Sequence, residues 1–323
     1  MRNKYIVISA LVLSLFFIAC TSDKDLGAPI DIIEDYQLDQ GDASVADKAR
    51  IKQLYEKYGS YFVYSFTQED ANWIKYTGKA TSRGTDYVIP GNPANVGKML
   101  DYVNDIWLKY FPDEILKNGG IPYRVFLADS CYNEIVYSPT YSMKTNYKHR
   151  LQTDGNSIII AGMNRLNQMT EAEIQTEKVA LISDLINYYI SKGIMTFPQE
   201  FYDVTDYVNE PNFYLAYPGA YSYTLDQEDF FNRGFLPQYY SNSWGSGVNF
   251  WLYKYTSGYS TWANSTTETI MNNDRTYYMT MILNCSDEFM ETYLKYPLIN
   301  TKWNIILNHF KNTYGLDLRA IAK

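Results

Sequence analysis

Histidine is nearly absent. His149 and His309 are the two in 323 residues, and neither has a second His or a Cys within one helical turn. That scarcity removes the usual chelating pairs for zinc, which takes imidazole and thiolate donors at short spacing. It also leaves a Ser-His-Asp triad with little support, and Ser246 in Gly245-Ser246-Gly247 lacks the Gly-x-Ser-x-Gly elbow. Cys20, Cys131 and Cys285 are the three cysteines, too few to define a disulfide framework. No basic stripe interrupts a chain of formal net charge -8, which argues against nucleic acid as a partner. No apolar run reaches the roughly 18 residues of a membrane-spanning helix, and no internal repeat is visible.

The amino terminus has the pattern of a secretory signal. Arg2 and Lys4 precede an apolar run from Tyr5 to Ile18 that stops at Ala19-Cys20. Phe17-Ile18-Ala19-Cys20 resembles a bacterial lipobox, which implies cleavage before Cys20 and lipidation of its thiol, with the outer-membrane lipid as partner. Ser22-Asp23-Lys24-Asp25 resembles the acidic surface-export signal of Bacteroidetes lipoproteins, which implies a cell-surface position. The other reading is a signal peptide cut elsewhere and a soluble periplasmic product. Residues 1–19 are thus expected to be a signal peptide, 20–46 a lipid-anchored flexible linker and 47–323 the folded domain. Loss of residues 1–19 removes Arg2 and Lys4 and no acid, so the net charge becomes -10.

Tyrosine is what the chain has in abundance. Thirty-three tyrosines stand beside 15 Phe and 6 Trp, rings that fill cores but also stack on sugars or line peptide grooves. Along the chain, Ala49, Ile51, Leu54, Tyr55 and Tyr58 have helical spacing that Gly59 ends. Tyr61 to Phe66 reads as a strand, Asn95 to Lys117 as an amphipathic helix interrupted near Pro112, and Pro122–Asp129 and Ser157–Met163 as strands. Thr170 with Glu173 forms a capping-box signature ahead of a long helix ending at Gly193. Beyond Pro198, Gly-, Ser-, Asn- and Tyr-rich stretches read as loops between short helices, and Lys302 to Tyr314 as a last amphipathic helix stopped by Gly315.

Lys178 to Lys192 reads as one buried helix, and Ser183-Asp184-Leu185-Ile186-Asn187 occupies the place where a zinc peptidase helix carries His-Glu-x-x-His. Five segments, taken in order, resemble the putative zinc-binding metallopeptidase family of Bacteroidetes lipoproteins, a family linked to glycan-uptake loci. They are the strand at Ser157–Met163, Val179-Ala180-Leu181-Ile182, Phe197-Pro198-Gln199-Glu200-Phe201, Arg233-Gly234-Phe235-Leu236-Pro237-Gln238-Tyr239-Tyr240, and Tyr314-Gly315-Leu316-Asp317-Leu318-Arg319. The resemblance implies an α+β, zincin-like metallopeptidase fold: a small sheet, a central buried helix and a mostly helical C-terminal lobe, with an upper lobe over about 47–195 and a lower one over about 196–323. It also implies zinc, but the ligand positions depart together: Ser183 and Asn187 replace the two histidines, Asp184 stands for the general-base Glu, and Asn249 stands for a third, carboxylate ligand. A serine hydroxyl and an asparagine amide do not replace imidazole for this cation, so no cofactor is expected.

Three functions follow from this reading. The first is a catalytically inactive, peptidase-like binder of glycan or peptide, with Tyr214, Tyr217, Tyr221, Tyr223, Tyr239, Tyr240, Trp244, Trp251 and Trp262 as contact candidates. The second is an active metallopeptidase with an atypical metal site around Asp184. The third is a structural partner of an outer-membrane transporter in a nutrient-uptake complex. Asp203, Asp206 and the run Asp226-Gln227-Glu228-Asp229 are acidic groups without calcium-loop spacing, better read as solvated turns or helix starts.

Overall fold

The computed structural model describes residues 37–71, 84–152, 156–215, 223–242, 245–250, 255–256, 259–260 and 265–322. Leu38–Lys323 make up one compact unit. That unit also takes in residues 38–46, which the sequence assigned to the linker. The Gln40 side chain explains why: its amide donates to Phe62 O and its carbonyl accepts from Tyr64 N, at 3.0 and 2.8 Å. Cys20 and the signal segment lie outside the described residues, and no described helix is long and apolar enough to cross a membrane.

The fold is α+β. Helix α1 (Val45–Tyr58) is capped by the Ser44 hydroxyl and ends at Gly59, whose φ of +69° is left-handed backbone that glycine adopts without cost. A mixed sheet follows, built from β1 (Tyr61–Val63), β2 (Thr85–Pro90), β3 (Arg124–Ser138), β4 (Tyr141–Tyr147), β5 (His149–Gln152) and β6 (Ser157–Ile160). The first half of β3 runs parallel to β1 on one side and β6 on the other, and β5 closes the edge antiparallel to β6. The second half of β3 leaves this layer and pairs antiparallel with β2 and β4. β3 is therefore nearly twice the length expected, because its polar second half is recruited by partners that arrive from a distant loop and from the next hairpin.

Strand alternation sorts the central residues by face. Phe62, Val125, Leu127, Ile158 and Ile160 share the main core with α2 (Val96–Ile106) and α3 (Glu171–Ser191), while Phe126 turns to the other face and meets Phe66 edge-on at 5.2 Å. The capping box of α3 forms in full: Thr170 Oγ1 accepts from Glu173 N at 3.2 Å, and Glu173 Oε2 accepts from Thr170 N at 2.8 Å.

The C-terminal half is largely helical. It holds α4 (Gln199–Asp203), α5 (Gln227–Asn232), α6 (Thr267–Asn284), α7 (Asp287–Leu294), α8 (Pro297–Tyr314) and α9 (Leu318–Ala322), with short hairpins between them. One of these pairs β7 (Gln238–Asn242) with β8 (Gly245–Asn249). α6 lies where the sequence suggested only loops and short helices.

At its centre two charged side chains are fully enclosed: Lys302 of α8 and Asp274 of α6 both have zero exposure and are bonded to each other. Lys302 Nζ also donates to Thr205 Oγ1 and Gly234 O, each at 3.0 Å. The rings of Phe201, Tyr278, Tyr207 and Phe235 surround it, their centroids 4.3 to 5.4 Å away. An ammonium has three protons, which Asp274 Oδ2, Thr205 Oγ1 and Gly234 O can receive, and Tyr207 Oη lies 3.3 Å away as a fourth acceptor. Gly234 is needed here on two counts: its φ is +83°, and a Cβ would lie 3.0 Å from Thr205 Oγ1 and 3.1 Å from Leu298 Cβ.

Cys131 and Cys285 are free and buried. Burial pushes their thiols up to about 11 and about 12, so near neutral pH both stay protonated and poorly nucleophilic. A thiol-alkylating reagent is expected to leave both unmodified in the native protein and to label both in denaturant, read by peptide mapping. For the buried pair, Lys302→Met leaves an unpaired buried carboxyl and should cost about 3–5 kcal/mol. Adding Asp274→Leu removes that carboxyl and should make the double variant more stable than Lys302→Met alone, measured by denaturant unfolding.

Candidate functional site

α3 offers solvent a single stripe. Thr176, Ala180, Asp184 and Ser191 are exposed and Ser183 and Asn187 half-buried, while Val179, Leu181, Ile182, Leu185, Ile186 and Tyr189 belong to the core. The exposed positions recur at three- and four-residue intervals, the period of one helix face. The helix read as wholly buried is thus amphipathic, and the positions that stand for His-Glu-x-x-His lie on its open side.

Sheet alternation brings an imidazole to that stripe. β5 pairs antiparallel with β6, His149 opposite Ile160. Leu151 packs against the main core, and His149, two residues earlier, points to the same face. Arg150 and Gln152 point the other way: Arg150 pairs with Asp86 at 2.9 Å, and the Gln152 amide donates to Ala71 O.

His149 Nε2 lies 3.0 Å from Asp184 Oδ2. The imidazole is 11 % exposed and the carboxylate 61 %. His149, the first residue of β5, is held between the sheet edge and the helix. In the tautomer that carries its proton on Nε2, the ring donates to Asp184 and leaves Nδ1 as an acceptor, the arrangement of a carboxylate-oriented base. Thirty-five residues separate the partners, so local spacing gives no sign of the pair.

The donor set around Asp184 does not fit zinc. Structural and catalytic zinc take three or four imidazole, thiolate or carboxylate donors at about 2.0–2.3 Å. Ser183 and Asn187 supply neutral oxygens, and the best donor atoms of His149 and Asp184 are engaged with each other. Among the described residues no three His, Cys, Asp or Glu side chains converge. Asn249, at the end of β8, is exposed and makes no hydrogen bond to His149 or Asp184 among the described residues. His309 is structural: its Nε2 donates to Thr196 O at 2.9 Å.

The aromatic candidates divide. Tyr239 is half-buried and meets Phe289 edge-on at 5.9 Å, so it serves the core. Tyr240 is 43 % exposed and lies across Gly247, whose Cβ would stand 2.8 Å from the tyrosine hydroxyl. Tyr217, Tyr221, Trp244, Trp251 and Trp262 lie outside the described residues, as do the side chains of Tyr214 and Tyr223.

An aromatic surface that sequence reading passed over sits on the β3–β4 hairpin. Val136, Tyr137, Tyr141 and Met143 are exposed there, and the two tyrosine rings stack with centroids 5.5 Å apart. Alternating residues on both sides of Pro139-Thr140 were the available signal. The acidic groups are local caps: Asp226 accepts from Glu228 N and Asp229 N, and Asp206 from Val208 N and Asn209 N. Hydrogen bonds, that from the Asn209 side chain foremost, hold the Asp206 carboxyl below its ordinary range.

No family model matches the chain, and no curated protein matches it. Among solved structures it is similar to a putative zinc-binding metallo-peptidase from Bacteroides caccae, at 12% identity and a TM-score of 0.41, over 87% of this chain and 92% of that one. A likeness this low carries no conclusion about fold or activity.

An exposed stripe and a core face predict different mutational costs. Asp184→Ala, which removes a carboxylate from the open side, should change unfolding free energy by less than about 1 kcal/mol. Leu185→Ala, one residue on and fully buried, should cost about 2–5 kcal/mol.

Proposed function

We propose that the chain is a zincin-like surface lipoprotein that binds a glycan without hydrolysing it. In this reading lipidated Cys20 anchors it to the outer membrane, and it acts as an accessory in a nutrient-uptake complex. The observation that supports loss of catalysis is the donor set on α3, where Ser183, Asp184 and Asn187 stand on the open face and lack the imidazoles zinc requires. Binding is supported by the stacked and exposed Tyr137 and Tyr141 on a hairpin whose turn also carries the Ser138 and Thr140 hydroxyls. Ring faces next to hydrogen-bonding groups suit a sugar better than an apolar peptide. Tyr240 offers a second exposed ring.

The 3.0 Å contact between His149 and Asp184 favours a second reading, an active hydrolase with an atypical site. The two differ in metal content and turnover. Protein purified without chelators should contain substoichiometric zinc and show no peptidase activity, and Tyr137→Ala with Tyr141→Ala should weaken binding on a glycan array. Stoichiometric zinc together with activity abolished by His149→Ala or Asp184→Ala would establish the hydrolase instead.

A further inference from the structure

We infer that the Lys302 amine and the Asp274 carboxyl condense to an intramolecular amide that joins α8 covalently to α6. The fold holds the two groups in direct contact, shut off from water, beside a hydroxyl placed to relay the proton.

Amide formation from an amine and a carboxylic acid is slow in water for two reasons. The amine is protonated and the acid ionised, and the reactants must find each other. Enclosure removes both obstacles. Lys302 and Asp274 have zero exposure, and burial drives the amine pKa down and the carboxyl pKa up, toward their neutral forms. The proton that converts one pair of forms to the other already lies in the Nζ–Oδ2 hydrogen bond. Fixed contact replaces a bimolecular encounter, an effect that reaches effective molarities of about 10⁵–10⁸ M in well-oriented systems.

The remaining groups match the step. Nζ adds to Asp274 Cγ, forming the Nζ–Cγ bond, and the Cγ–Oδ2 bond breaks. Tyr207 Oη donates to Oδ2 at 2.5 Å and lies 3.3 Å from Nζ. It can therefore give its proton to departing Oδ2 and recover one from Nζ. Oδ2 leaves as water carrying that proton and the one received from the ammonium, so atoms and charge balance with no oxidant or co-reactant.

The product also fits the cavity. Asp274 Oδ1, buried and without a hydrogen-bond partner, becomes an amide oxygen, which is less costly to bury bare than an anionic one. The single remaining N–H has Thr205 Oγ1 at 3.0 Å, and Gly234 O keeps the Tyr278 hydroxyl at 2.9 Å. Two enclosed charges disappear, and with them their desolvation penalty.

Tryptic mapping of the full chain after folding tests the bond. The expected product is a branched peptide in which residues 255–275, carrying Asp274, are joined to residues 296–311, uncleaved after Lys302, at the summed mass less one water. Tyr207→Phe keeps the ring and should raise the uncondensed fraction. Asp274→Ala should abolish the branched peptide and the water loss. Complete cleavage after Lys302 in the folded wild-type chain, with both linear peptides at full mass, would overturn the assignment, as would a water loss that persists in Asp274→Ala.

Discussion

The C-terminal half is organised around the enclosed contact between Lys302 and Asp274. Two charges without water are tolerable only when each finds partners, and the partners come from four separate stretches of chain. Asp274 rides on α6 and Lys302 on α8, Thr205 and Tyr207 follow α4, and Gly234 follows α5. No one of these segments can shift without leaving a buried polar group without its partner. The four rings around Nζ add favourable quadrupole contacts and exclude water. Part of the tyrosine excess is spent here, on hydroxyls that hydrogen-bond inside a core, rather than on a binding surface.

This network gives a physical role to several segments singled out in the sequence. Phe201 and Phe235 are walls of the cage, and Gly234 supplies a carbonyl that only a residue without Cβ could bring so near. In the last segment, Gly315 stops α8, and Arg319 reaches the carbonyls of Ile282 and Cys285 at the end of α6. All are packing and capping roles.

Local structure was readable where local physics governs it. Ser44 and the Thr170–Glu173 box start helices, Gly59, Gly193 and Gly315 end them, and the apolar run at Ser157 makes a buried strand, because each signal acts within a few residues. The second half of β3 was not readable, since its polar residues become a strand only when β2 and β4 arrive beside it. α6 was missed for a related reason: its buried positions include Asp274, Tyr277 and Tyr278, polar side chains that look like surface until their partners are known.

For the candidate site the division is sharper. The sequence by itself determined that α3 carries no histidines, that imidazole and thiolate are scarce, and that a long helix follows a buried strand. Only the tertiary structure decided which side of that helix meets water, that β5 alternation sets His149 against Asp184, and that Lys302 is enclosed with Asp274. Helix period and residue chemistry are properties of neighbours in the chain. The two pairings depend on sheet register and helix packing across 35 and 28 residues, and those are settled by the burial of the whole core rather than by any local preference.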